Sequence, residues 1–219
     1  MAKKNSYTAK DIEVLEGLQP VRKRPGMYIG NTNEDGLHHL VNEVLDNSID
    51  EVIAGYAKNI SFHYSKDKSI TIKDDGRGIP TDFHPKFKNK RALEIVLTTL
   101  HAGGKFSEKN YKTSGGLHGV GISVVNALSK EMEVRVYQKS KLYSQKYSRG
   151  KIKNKIKIEK CSSKNKGTEI KFIPDEDIFD NIIFSPKKLY NFIKMKSILI
   201  KGTKIIFKID KEMIKDKTP

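Results

Sequence analysis

The sequence predicts an α+β domain, and three observations carry that expectation. Between Leu37 and Ala54, the residues Leu37, Leu40, Val41, Val44, Leu45, Ile49, Val52 and Ile53 recur at helical spacing and form one apolar stripe. Seven stretches, 59–65, 69–73, 131–137, 142–148, 151–158, 168–173 and 203–209, read as strands from their alternation and β-branched content. Four glycines in seven residues, Gly115, Gly116, Gly119 and Gly121, run directly into a second amphipathic helical pattern.

Length and composition bound the reading. At 219 residues the chain suits one large domain with a sizeable core. No apolar run approaches the roughly 18 residues that suggest a membrane span, so no membrane partner is expected. The opening Met-Ala-Lys-Lys-Asn-Ser has no apolar leader segment, and a lone Cys161 suits a reducing cytoplasm. A net charge of +16 favours polyanions, yet the excess is mostly lysine with sparse arginine and aromatic interleaving. Charge alone therefore leaves a DNA-facing surface and a compositional bias both open.

In chain order, residues 1–7 read as an arm, and Thr8 with Asp11 as a capping box opening a short helix through Ile12, Leu15 and Leu18. Pro20 to Gly30 holds two prolines and two glycines and reads as a shaped loop, with Arg22, Lys23 and Arg24 a solvated face by default that could also reach a phosphate. In the helix that follows, His39, Glu43, Asn47 and Glu51 recur every four residues, so they stack on one face beside Asp46 and Asp50. Like charges at this spacing repel, and Asn and Asp are poor helix formers, so a purely structural helix gains little from them. A base and a metal ligand on one rigid ridge is the functional reading; a solvated polar face is the bland one.

Strands 59–65 and 69–73 suggest a hairpin ending in Asp74-Asp-Gly-Arg-Gly-Ile-Pro80. Asp74 there is a fixed acceptor that suits an amine such as adenine N6, with Ile79 and Pro80 as an apolar wall, although an Asp-Gly turn is the simpler reading. After a basic loop, residues 91–100 read as a helix stopped by Gly103 and Gly104, with Lys105 a candidate phosphate ligand. The glycines at 115–121 let consecutive backbone N–H groups turn inward around an anion, and the helix beyond adds its N-terminal dipole. Residues 151–158 alternate lysine with mostly isoleucine, which predicts one buried and one basic face. Pro186 to Leu199 reads as a helix with proline in its first turn.

Four segments, Glu43–Glu51, Asp74–Pro80, His101–Phe106 and Ser114–Gly121, resemble in order the ATPase region of type II DNA topoisomerase B subunits, those of gyrase and topoisomerase IV. That family sits in the GHKL superfamily with MutL, heat-shock chaperones and histidine kinases. The resemblance covers essentially the whole chain. The string from Ser114 through Ser129 is specific to the topoisomerase branch, while 172–180 and 194–199 look more like topoisomerase IV B than gyrase B.

The resemblance implies a two-layer α/β sandwich whose mixed, mostly antiparallel sheet has helices on one face and a nucleotide site between the layers. It implies one ATP-binding domain over 1–219, with residues 1–19 as an arm and short helix, and a transducer domain beyond it that brings a lysine to the γ-phosphate. It assigns ATP and Mg²⁺ as ligands. Glu43 resembles the general base and His39 its tuning partner; Asn47 resembles the Mg²⁺ ligand. Asp74 resembles the adenine anchor, assisted by Thr168 through a water, and Arg77 a residue that pairs with Glu51 and stacks over the base. Gly78, Ile79 and Pro80 border the base, and Val44, Ile72, Val96 and Ile170 complete its pocket. Gly103, Gly104, Lys105 and the run Gly115, Gly116, Leu117, His118, Gly119, Val120, Gly121 would hold phosphates, with Tyr111 on the nucleoside side and Tyr7 a nucleotide contact from the arm that, near Tyr7 and Ile12, would reach across to a second copy. Gln138 departs from the arginine that relatives often carry there, which bears on the outer pocket. Implied partners are an A subunit carrying the DNA-cleaving tyrosine, double-stranded DNA, and a second copy of the B subunit on ATP binding. Another superfamily ATPase, or a non-catalytic basic DNA-binding module with its glycines as turns, are the rival readings.

Overall fold

The computed structural model describes residues 8–103 and 119–214. Eight strands form one sheet: β1 (Asn59–Tyr64), β2 (Ile70–Asp74), β5 (Ser129–Gln138), β6 (Lys141–Ser148), β7 (Lys151–Ile152), β8 (Lys157–Lys160), β9 (Gly167–Pro174) and β10 (Lys204–Ile209). Their order is β10-β1-β2-β9-β5-β6-β7, with β8 also on β6; β10 runs parallel to β1 and every other pairing is antiparallel. A separate hairpin joins β3 (Phe83–His84) to β4 (Phe87–Arg91).

Period-two alternation decides which face is buried. Phe62, Ile72, Ile170 and Val134 lie in register across four strands, as do Tyr64, Ile70, Phe172 and Met132, and all are buried. Intervening residues such as His63, Thr71, Lys171 and Glu133 are half-buried on the opposite face. The helices α3 (Glu34–Ile53), α5 (Gly121–Ala127) and α6 (Pro186–Leu199) pack on the buried face with α4 (Ala92–Thr98), giving the expected α+β sandwich.

The stripe of α3 enters the core from Leu37 to Ile49, whereas Val52 is only half-buried and Ile53 is exposed at the helix end. The helix begins three residues before the expected start, because Asn33 Oδ1 accepts from Asp35 N and Asn31 Oδ1 from Gly36 N. At its far side α6 has the expected bounds: Ser185 Oγ accepts from Lys188 N, and Pro186 occupies the first turn.

Several expectations are corrected. The capping box at Thr8 and Asp11 forms, but it opens only a 3₁₀ turn (Ala9–Asp11) and not a helix through Leu18. The loop expected over Pro20 to Gly30 contains two short helices, α1 (Gln19–Lys23) and α2 (Gly26–Ile29), because Pro20 sits in a first helical turn, where its missing N–H costs nothing. Arg22 is not a solvated cation: it pairs with the fully buried Asp175 at 2.7 Å and donates to Ala127 O at 2.8 Å. Lys23 pairs with Glu13. The strand expected at 151–158 is two pieces, with Ile152 and Ile158 exposed. Asn154 breaks it, its side chain accepting from Lys146 N in place of a backbone carbonyl. The basic loop before residue 91 holds β3 and β4, and its helix ends at Thr98, before the two glycines, with His101 at φ 55°.

Candidate active site

Between α3, the β2 end and α4 with the start of α5 lies a cleft of about 1150 Å³. It is lined by His39, Glu43, Asn47, Asp74, Arg77, Gly78, Ile79, Pro80, Gly103, Gly119, Val120, Gly121 and Thr168, so these sequence-predicted residues share one site. The expected apolar pocket of Val44, Ile72, Ile79, Val96 and Ile170 lines it as well. Tyr7, Gly104, Lys105, Tyr111, Gly115, Gly116, Leu117 and His118 lie outside the described residues.

Asp74 forms the floor. As the last residue of β2 it points to the buried face and is 5% exposed. Its Oδ2 accepts from Ser48 Oγ at 3.1 Å, and its Oδ1 from Gly76 N at 2.9 Å and Thr168 N at 3.3 Å. Burial pushes its pKa up to about 6 against the pull of these donors, with the Glu51 charge adding to the rise. Ile79 N donates to Thr168 Oγ1 at 3.1 Å, tying the following turn to β9. That turn is tightly enclosed: Gly78 has φ 79°, and a Cβ there would meet Val136 Cγ1 at 2.9 Å.

Arg77 and Glu51 form a forked ion pair, Nη2 to Oε1 at 2.7 Å and Nε to Oε2 at 3.2 Å, while Arg77 N also donates to Oε2 at 2.8 Å. The guanidinium lies 3.8 Å over the ring of Tyr56. At the rim, Gln138 Nε2 donates to Arg77 O at 3.0 Å and its Oε1 accepts from Thr81 Oγ1 at 3.1 Å.

The polar ridge of α3 supplies the other wall. His39 Nε2 and Glu43 Oε1 are 3.1 Å apart. The hydrogen bond to Glu43 raises the His39 pKa, against partial burial and with help from the Glu43 and Asp46 charges. Asp46 leans instead toward α6, where Lys196 Nζ reaches it at 2.7 Å. The start of α5 abuts Glu43 so closely that a Cβ on Gly121 would come within 1.8 Å of Glu43 Oε2. Only glycine admits this approach.

An apolar slot with a buried acceptor at its floor, and a half-exposed carboxylate beside an imidazole, suit binding of an aromatic amine and activation of a water. Among the described residues no three His, Cys, Asp or Glu side chains converge on a metal position. Asn47 lines the cleft, and its amide oxygen is of the hard donor type that could ligate a cation such as Mg²⁺.

Sequence reasoning missed Ser48, Tyr56 and the role of Gln138. Ser48 had a signal: it occupies a buried-stripe position four residues after Val44. Tyr56 had none, since its contact with Arg77 depends on the turn beyond α3.

The profile of histidine kinase-, DNA gyrase B-, and HSP90-like ATPases matches residues 32–178. The B subunit of DNA topoisomerase 4 from Rickettsia bellii is 56% identical over 213 residues, 97% of this chain and 32% of that protein. Its counterpart from Caulobacter vibrioides is 53% identical over 97% of this chain and 31% of its own length. Gyrase B of Thermotoga maritima is 51% identical over 92% of this chain and 31% of its own length. The chain thus spans about a third of the curated relatives it matches. Among solved structures, the 43K ATPase domain of Thermus thermophilus gyrase B in complex with an aminocoumarin superposes with TM-score 0.78 at 38% identity, over 88% of this chain and 48% of that one. Among the described residues no helix is long and apolar enough to cross a membrane.

Proposed function

Because this chain belongs to the family of histidine kinase-, DNA gyrase B-, and HSP90-like ATPases, we propose that its cleft binds and hydrolyses ATP to drive DNA strand passage by a topoisomerase IV. The carrying observation is the buried Asp74 carboxylate, held by Ser48, Gly76 and Thr168 at the floor of an apolar slot. Its free lone pair accepts from the adenine N6 amine, while Val44, Ile72, Ile79, Val96 and Ile170 cover the ring.

Glu43 takes the proton of the water that attacks the γ-phosphorus, and ADP leaves with the bonding electrons. His39 orients Glu43 through the 3.1 Å contact. Asn47 holds Mg²⁺, which when bound neutralises charge on the phosphate oxygens. Arg77, fixed by Glu51, borders the base. Gly103, Gly119, Val120 and Gly121 approach the phosphates, and Gly104, Lys105, Tyr111, Gly115, Gly116, Leu117 and His118 are assigned to the same lid by the family resemblance. Residues 1–219 act as one nucleotide-binding unit, with 1–19 as an arm that reaches a second copy when ATP is bound. An A subunit cuts the duplex DNA. The work is cytoplasmic.

The relatives at 53–56% identity that are named as topoisomerase 4 B subunits favour decatenation and relaxation. The gyrase B of Thermotoga maritima at 51% supports the second reading, negative supercoiling. Calorimetric titration with a non-hydrolysable ATP analogue and Mg²⁺ tests the site. Binding is expected in the parent and largely lost in Asp74→Asn; equal binding in both overturns the anchor, and absence of adenine-competitive binding in the parent overturns the ATPase reading.

A further inference from the structure

The net charge of +16 is unevenly spread over the fold. Residues 82–91, 139–141 and 151–166 carry thirteen Lys or Arg against two Asp or Glu, so most of the excess lies in these three segments. The topology makes them neighbours. β7 and β8 both pair with β6 along the edge that β5 leaves open, which puts the lysines of 151–160 on the sheet's border, all of them exposed. At one end of that border Lys141 lies opposite Lys160, and Cys161 N donates to Ser140 O. The β5–β6 turn meets the β3–β4 hairpin there, Lys139 Nζ lying 3.9 Å from Asp82 Oδ1, and the hairpin exposes Lys86, Lys88 and Lys90.

We propose that this border, the β6–β8 edge continued by the β3–β4 hairpin, docks the phosphate backbone of double-stranded DNA. The proposal rests on the reading that this chain works on DNA, and it names the surface that touches it. The eight residues of β6 extend about 26 Å at roughly 3.3 Å each, enough for seven or eight base pairs at roughly 3.4 Å per step. Twelve of the thirteen cations are lysines, compact point charges that meet phosphates without reading bases. The one arginine, Arg91, is occupied by Thr81 O and the ring of Phe83. The contact is therefore independent of sequence. Lysines on an edge strand also block pairing with other sheets, but one or two suffice for that, and such protection leaves the lysines of β3–β4 and of 161–166 unexplained.

The test is fluorescence polarisation of a labelled duplex of roughly 20 base pairs with the 219-residue chain across a salt series. The variant Lys88→Gln, Lys90→Gln, Lys141→Gln, Lys160→Gln removes four cations, none of which lines the nucleotide cleft. It is expected to bind at least about tenfold more weakly, with a log–log salt slope shallower by about 3 to 4. A control with Lys187, Lys201, Lys204 and Lys208 each changed to Gln is expected to stay near the parent. Equal weakening in both variants would leave only bulk charge and overturn the proposal. Unchanged binding in the first variant would also overturn it, and aggregation of that variant would then identify edge protection as the role. Nucleotide titration of the same proteins separates the two readings: loss of the nucleotide site in the parent removes the ATPase reading, whereas border-dependent DNA binding would stand without it.

Discussion

Replacing Asp74 by Asn is expected to stabilise the protein while greatly weakening the nucleotide binding proposed for it. The Asp74 carboxyl titrates near 3.8 in an unfolded chain and is pushed to about 6 by burial. Its folded pKa is therefore raised, so the folded state holds the proton more tightly between those values. Stability from this group falls as pH rises from about 4 through 6, and at pH 7 ionisation costs about 3 kcal/mol. An Asn at 74 keeps Oδ1 as acceptor for Gly76 N and Thr168 N, and its Nδ2 meets Ser48 Oγ, which turns to accept. Imperfect geometry in this exchange loses about 1 kcal/mol, leaving a net gain of about 2 kcal/mol at pH 7. For a chain of this length that is a rise in Tm of about 4–8 °C, which shrinks and reverses sign near pH 4.

Binding moves the opposite way. On the proposed role, the Asn Nδ2–H would face the amine that the carboxylate accepts from, so affinity for an ATP analogue is expected to fall about 100-fold or more. Calorimetry at pH 7 and 4 reads stability, and titration reads binding. A variant less stable than the parent by the same amount at both pH values would refute the buried-charge argument. One that gains stability and binds normally would refute the role in base recognition.

Three further outcomes follow from the same geometry. Glu43→Ala in the full-length protein should keep nucleotide binding and lose about 10²-fold or more in hydrolysis, measured by phosphate release; near-normal turnover removes Glu43 as the base. Gly121→Ala drives a Cβ into Glu43 Oε2, so hydrolysis should fall by about 10²-fold, and a crystal structure should show the carboxylate displaced from the His39 contact. Asp175→Ala removes the buried acceptor of Arg149 and Arg22, two cations that keep access to solvent, and should cost about 1–3 kcal/mol in urea unfolding. Burial opposes ionisation of Asp175, but the two arginines hold its pKa below the usual value. Its contribution is therefore present at neutral pH and lost as pH falls through that depressed value, so the parent-to-variant gap should narrow in acid.

Legibility in the sequence followed the range of the interactions. α6 was readable to the residue because Ser185 and Pro186 write its start locally. The ridge of α3 was readable because His39, Glu43, Asn47 and Glu51 follow helical spacing whatever packs on them. Segment 151–158 misled because Asn154 replaces a ladder bond with its own side chain, an event that alternation does not encode. The β3–β4 hairpin was too short and too lysine-rich to read as strand. Asp74 stood out by motif and Gly76 N is a local donor, yet its other two donors come from Ser48 and Thr168, 26 and 94 residues away, and no local pattern announces them.

The adjacent carboxylates of Asp74 and Asp75 show how one residue of register separates two functions. The sheet's period of two turns Asp74 into the cleft and Asp75 away from it. Asp75 accepts from Lys58 N, Asn59 N and Asn59 Nδ2 and fastens the start of β1. Burial also opposes ionisation of Asp75, but the Asn59 and Lys58 donors outweigh it and hold its pKa below the usual carboxylate value, while that of Asp74 is raised. The satisfied carboxylate is structural; the costly one retains a lone pair toward the cleft. The sequence pair Asp-Asp is symmetric, and only the register of β2 against β1 and β9 decides which residue is which. A ligand that donates to Asp74 relieves the cost of its burial. Such a ligand would recover as binding energy part of the stability that the buried charge costs, and Asp74→Asn should exchange one for the other.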